Sequence, residues 1–174
     1  MSDLGVISRL HPRSEVASAV AEGMWDSPAI KETIAALAMG GMWKQLWDVA
    51  DSMSREVSIL LDSQCHVWVD VGTAGQVRLS PPMGATIPFR LWVHTHPKDA
   101  YWSSTDLGTL AACSTILEEA LVLGHDHCKR AMRPSSDDPV LGTSGPLSEW
   151  TSESCRPYSE VSIVPIEGGG ESGG

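Results

Sequence analysis

Residues 91–106 read Leu-Trp-Val-His-Thr-His-Pro-Lys-Asp-Ala-Tyr-Trp-Ser-Ser-Thr-Asp. Few folds accommodate such a run. It opens as a β-strand, with Phe89, Leu91, Val93 and Thr95 facing one way and Arg90, Trp92, His94 and His96 the other. The two imidazoles then share a face, about 7 Å apart along the strand, a workable bite for one metal ion. Pro97 has no N–H to give a ladder, so the strand stops there. Ser103 and Asp106 stand at capping-box spacing and predict the start of a helix.

A His-x-His pair alone is equally well a strand end, and an acid in a first helical turn equally well a response to the helix dipole. Together, His94, His96 and Asp106 form a three-ligand set with one position left open, the layout of catalytic zinc. At these residues the chain resembles the JAMM (MPN-plus) metalloprotease family. That family's pattern is a Glu on an upstream strand, then His-Ser/Thr-His-Pro, then Ser-x-x-Asp at a helix start. The resemblance covers roughly residues 42–125.

It implies an α/β fold, the MPN-type (cytidine-deaminase-like) α/β/α sandwich with a curved mixed sheet. It also implies a zinc-dependent peptidase or isopeptidase, with Zn²⁺ on His94, His96 and Asp106. Glu56 would be the general base and Ser103 the hydrogen-bond donor to the oxyanion. The implied partner is a protein or peptide substrate, including a conjugate of a ubiquitin-like modifier. The loop from His96 to Ser103 holds six residues, 97–102, one fewer than the family's usual spacing, which bears on where Ser103 sits. Asp51 and Asp62 are weaker candidates for the base, because neither fits the helix-to-strand junction.

Two other classes compete. A non-catalytic MPN-type scaffold or binding module would keep zinc for structure, and the shortened loop is its best support. A β-barrel metalloenzyme with His-x-His would place a Glu soon after the pair, and its barrel would not accommodate the upstream helices.

With 174 residues the chain has a one-domain length. A net charge of -10 argues against a nucleic-acid partner, which needs a basic face. Four widely spaced cysteines without Cys-x-x-Cys predict small core residues in a reducing compartment rather than a disulfide framework. No basic-then-apolar leader and no apolar run of about 18 residues is present, so a cytoplasmic protein without a membrane span is expected.

Residues 1–41 are expected to be a helical extension, with one helix over 14–24 and another opened by Ser27-Pro28 and carrying Ile30, Ile34, Leu37 and Ala38. The metal-bearing domain spans 42–166. It begins with a helix bearing the stripe Trp43, Leu46, Trp47, Ala50 and Met53, which predicts core packing. Strands are expected over 56–62, 66–71, 76–79, 119–124 and 160–164, with a turn at 72–75 and a helix from Asp106 toward Leu117. Residues 80–88 and 133–148 carry breaker residues and are expected as loops flanking the substrate groove. His125, Asp126, His127 and Cys128 repeat the His-x-His spacing without a helix-borne acid, and predict a polar strand end before a metal site. Residues 167–174 are expected as a flexible Gly-rich tail.

Overall fold

Three helices precede the first strand, and local chemistry sets their ends. In the computed structural model, which describes residues 5–72, 82–134 and 137–161, α1 spans Arg13–Ala21, α2 Pro28–Met39 and α3 Trp43–Met53. Ser27 caps α2, its hydroxyl accepting the Ile30 N–H, with Pro28 in the first turn. Helix α1 stops short of the expected Met24. Gly23 takes a left-handed φ of 68°, and the Met24 N–H returns to Ala19 O while the Gly23 N–H returns to Val20 O. This is a Schellman closure. Gly41 closes α2 in the same way.

Among the described residues, seven strands form one mixed sheet: β1 Val57–Leu61, β2 Val67–Val71, β3 Leu91–Thr95, β4 Glu119–Leu123, β5 His127–Met132, β6 Thr151–Ser152 and β7 Arg156–Pro157. The order is β2-β1-β3-β4-β5-β6, with β7 also on β5. β1 runs antiparallel to both β2 and β3, and β3 is parallel to β4. The β3–β4 crossover contains α4, Ser104–Ala112.

Alternation along the central strands sends side chains to opposite faces. Val57, Ile59, Leu61, Leu91, Val93, Leu121 and Leu123 pack with the stripes of α2 and α3 in one core. Leu60, Trp92 and Ala120 face the other way and pack with Leu110 of α4, Phe89 and Trp150. The result is a mixed α/β architecture with helices on both faces. The two N-terminal helices share the first core: Ala19, Ile30 and Ile34 are buried with β1 and β3 residues.

Several expectations change. Phe89 was expected beside Leu91 and Val93, but lies in the opposite core, bridging to Leu117. Period-two alternation holds only within a continuous strand, and β3 begins at Leu91. Helix α4 ends at Ala112 rather than Leu117, because Leu117 is drawn to the Phe89 bridge. Strand β5 was not anticipated beyond a polar strand end. Glu160 closes a short 3₁₀ turn, Tyr158–Glu160, rather than opening a strand. Val161 follows that turn outside any strand, and residues 162–164 of the expected strand, residues 73–75 of the expected turn, the return strand at 76–79 and the tail at 167–174 lie outside the described residues. All four cysteines are free. Among the described residues, no helix is long and apolar enough to cross a membrane.

Asp62 ends β1 and organises the turn into β2. Its buried carboxylate accepts the N–H groups of Gln64 (2.9 Å), His66 (2.9 Å) and Thr86 (2.9 Å) and faces the His66 ring at 3.2 Å. Burial pushes this carboxyl up, but the hydrogen bonds from Thr86, His66 and Gln64 outweigh it and hold the group below the usual carboxylate range. A depressed folded value means that the ionised form favours the fold. Its contribution is therefore complete above the unfolded value near ~4 and is lost as pH falls through the folded value. Asp62→Ala is expected to cost about 1–3 kcal/mol at neutral pH. Denaturant titrations of both proteins across the acid range should show that deficit shrinking as the pH drops. A deficit independent of pH would contradict an ionised Asp62.

Candidate metal centre

Strand β3 is interior to the sheet, paired with β1 and β4, so His94 lies opposite Ser58 on one side and Val122 on the other. The His96 N–H donates to Leu123 O at 2.9 Å, which keeps the backbone extended one residue beyond β3 and holds His96 on the face of His94. Pro97 then ends the run. The capping box forms as the sequence predicts. Ser103 Oγ accepts the Asp106 N–H (3.1 Å), and Asp106 Oδ2 accepts the Ser103 N–H (2.9 Å).

The same carboxylate reaches both imidazoles. Asp106 Oδ1 is 3.0 Å from His94 Nε2, and Oδ2 is 3.0 Å from His96 Nε2. The three side chains are buried, His94 at 1 % exposure, His96 at 6 % and Asp106 at 4 %. Burial raises the Asp106 carboxyl, but the close rings of His94 and His96 and the N–H of Ser103 outweigh it and hold the group far below the usual range. Burial lowers His94, against the pull of Asp106. Both directions favour the forms that bind metal, a neutral imidazole and a carboxylate.

His94 decides whether a cation fits. Its Nε2 is close to Asp106 but poorly aligned with it, and neither ring nitrogen makes a hydrogen bond. A buried imidazole with both nitrogens unpaired is costly. A cation among His94, His96 and Asp106 would take one ring nitrogen of His94 and so remove that nitrogen's share of the cost. One donor atom from each of the three lies within 4.8 Å of the other two. Ligands at ~2.0–2.1 Å on a tetrahedral ion sit about 3.3 Å apart. The arrangement could therefore hold a metal ion after small side-chain shifts. Among the described residues it is the one group of three or more His, Cys, Asp or Glu side chains so placed. His125 and His127 do not belong to it.

Aromatic rings fix the imidazoles. Trp92 stacks on His94 at 4.3 Å and 14°, and its Nε1–H donates to Ser58 Oγ at 2.9 Å. Tyr101 meets the His96 ring edge-on at 4.6 Å. Trp47, read from the sequence as core, also donates its Nε1–H to His96 O at 2.8 Å. The usable signal was that a buried indole N–H needs an acceptor, though nothing in the sequence names which one.

Glu56 reaches the site by a different route. Ser54 ends α3 with a left-handed φ of 56°, which turns the chain directly into β1. The Val57 N–H donates to Thr95 Oγ1 at 2.9 Å, tying the start of β1 to the end of β3. Glu56 and His96 consequently share the wall of a cavity of about 260 Å³, together with Trp47, Asp51, Arg55 and Thr95. Burial raises the Glu56 carboxyl, while His96 lowers it and Asp106 raises it. Asp51 is exposed on the same cavity, and Asp62 is committed to its turn at the other end of β1. Ser103 caps α4 and does not line this cavity, nor does any described residue of 80–88 or 133–148. Its hydroxyl accepts from Asp106, so its own O–H remains free to donate.

Comparison of the chain with protein-family models, with curated proteins and with solved structures returns no match.

Purified protein is expected to take up about one divalent ion per chain. At free metal 100 times the Kd, the gain in stability is about 2.7 kcal/mol, visible as a higher melting temperature. A His94→Ala/His96→Ala double variant should show neither uptake nor the thermal gain. Stoichiometric metal in that variant would place the site elsewhere.

Proposed function

We propose that this chain is a zinc-dependent metalloprotease or isopeptidase of the JAMM type, hydrolysing an amide or isopeptide bond. The observation that carries the reading is the buried His94–His96–Asp106 cluster, built on a capping box, with Glu56 on a cavity wall shared with His96. Further support comes from the mixed sheet with helices on both faces, which is compatible with an MPN-type sandwich. The substrate class proposed is a protein or peptide, including a lysine joined to the terminal glycine of a ubiquitin-like modifier. The acidic charge of -10 fits a protein partner better than a nucleic acid. The cytoplasm is the proposed compartment.

His94, His96 and Asp106 would hold the zinc, which when bound lowers the pKa of a water and polarises a carbonyl. Glu56 accepts the proton of the attacking water and delivers it to the leaving amine. Its burial favours the protonated form and so makes its carboxylate a stronger base than an exposed one. The O–H of Ser103 donates to the developing oxyanion. A non-catalytic scaffold with structural zinc is the second reading. It draws on the six-residue loop before Ser103 and on the separation of Ser103 from the Glu56 cavity.

Glu56→Gln keeps the shape and removes the basicity. It is expected to retain fold and zinc while turnover falls about a hundredfold or more. Ser103→Ala should cost a similar or smaller factor. The assay is cleavage of a ubiquitin-like protein joined through its terminal glycine to a lysine. Equal cleavage by wild type and Glu56→Gln would remove Glu56 as base. No cleavage of any such conjugate by zinc-loaded wild type would favour the scaffold.

A further inference from the structure

The second histidine cluster is absent from the metal centre, yet it is heavily engaged. Nε2 of His127 accepts the Ala100 N–H at 3.0 Å. Its Nδ1 lies 2.7 Å from Asp126 Oδ1. A nitrogen that accepts a backbone N–H carries no proton, so the ring proton sits on Nδ1 and is donated to Asp126. Ala100 belongs to the six-residue loop that joins His96 to Ser103. It is 3 % exposed while Pro97, Lys98, Asp99 and Tyr101 around it are exposed.

The loop is seated on the turn that carries His127. The His125 N–H donates to Lys98 O at 2.7 Å. A Cβ at Gly124 would fall 2.7 Å from Ala100 N and 2.8 Å from Lys98 O, so only a glycine lets the two backbones lie this close. Cys155 Sγ closes the other side, 3.4 Å from Ala100 O. The turn is in turn held by Lys44 Nζ on His125 O (2.9 Å) and by the Tyr158 hydroxyl on Gly124 O (2.7 Å).

We infer that His127, with Gly124 beneath the loop, is a positioning residue for the metal centre: by pinning Ala100 it sets where α4 begins, and so how Asp106 meets His94 and His96. This rests on the metal reading of those three residues. A six-residue span between a strand end and a helix cap has few conformations. The hydrogen bond to Ala100 selects one of them, and a displaced Ala100 carries Ser103 and the capping box with it. His127 itself touches neither metal donors nor the Glu56 cavity.

The test uses Co²⁺ as the probe, read by its visible absorption and by chelator competition, on the full chain. His127→Leu removes the acceptor. His127→Gln keeps an oxygen able to take the Ala100 N–H. Gly124→Ala lifts the loop by a different route. His127→Leu and Gly124→Ala should each weaken Co²⁺ binding by about 10–100-fold, the scale for lost support around a metal ligand. Their circular dichroism should stay native. His127→Gln should bind within about threefold of wild type, a rescue that general loosening of the fold would not give. Amide exchange in metal-free protein reads the pin directly: Ala100 N–H should be protected in wild type and His127→Gln and exposed in His127→Leu. If His127→Leu should fail to fold, Gly124→Ala and the Ala100 exchange in wild type still decide. A wild type that binds Co²⁺ with an unprotected Ala100, or a folded His127→Leu or Gly124→Ala that binds Co²⁺ as wild type does, overturns the inference. A wild type that takes up no Co²⁺ at all overturns the metal reading on which it rests, a different result.

Discussion

The pairing of Asp106 holds the candidate site together. A carboxylate buried away from water is unfavourable unless it is fully paired. Here the pairing comes from three directions: the Ser103 N–H at the start of α4, the His94 ring from β3 and the His96 ring just beyond it. Each partner belongs to a different piece of local structure. Satisfying one carboxylate therefore fixes the helix start, the end of the strand and the loop between them together. The two imidazoles bring their own constraint. His94 is held by the parallel ring of Trp92, and both of its nitrogens lack a hydrogen bond. The group could hold a cation.

The other side of the site depends on how a helix passes into a strand. The stripe of α3 packs on β1 and β3 residues, and the left-handed turn at Ser54 sends the chain straight into the sheet. Glu56 is thereby stationed at the mouth of a strand that neighbours β3, with Thr95 clasping Val57 across the gap. Trp47 shows how packing and positioning combine, since the ring that fills the core also holds the carbonyl of His96. Beyond β4, the Gly124–His127 turn brings a second set of histidines under the loop from His96 to Ser103. The spacing that resembles a ligand pair is used there to hold backbone in place.

Much of this was readable from residues close in sequence. Ser27-Pro28 and Ser103 with Asp106 announce helix starts because a cap and its N–H lie within three residues. The apolar stripe of α3 is legible because its members recur on one helical face, and all five are buried. His94 and His96 share a face because strand alternation has a fixed period. Legibility fails where a partner is remote. The polar run in β5 hides a strand because Arg130 is paired with Glu119 of β4 and with Glu153, neither of which the run itself reveals. Phe89 changes face because its position is set by Leu117, not by the strand that follows it. The ends of α1 and α4 moved for different reasons, one for a glycine within the expected helix, the other for a contact outside it.

By itself, then, the sequence determined the helix starts, the facing of the histidine pair and the acid that could join it, since each rests on geometry repeated over a few residues, while Glu56 was picked out by a family resemblance. Only the tertiary structure decided that Asp106 reaches both imidazoles across a six-residue loop, that Glu56 shares a cavity wall with His96, that Ser103 stays with the helix it caps, and that His127 supports the loop instead of binding with the first pair. Those facts depend on which strands become neighbours and how closely their connecting turns approach. That choice is made by burial and hydrogen-bond satisfaction over the whole chain, and no short window of sequence contains it.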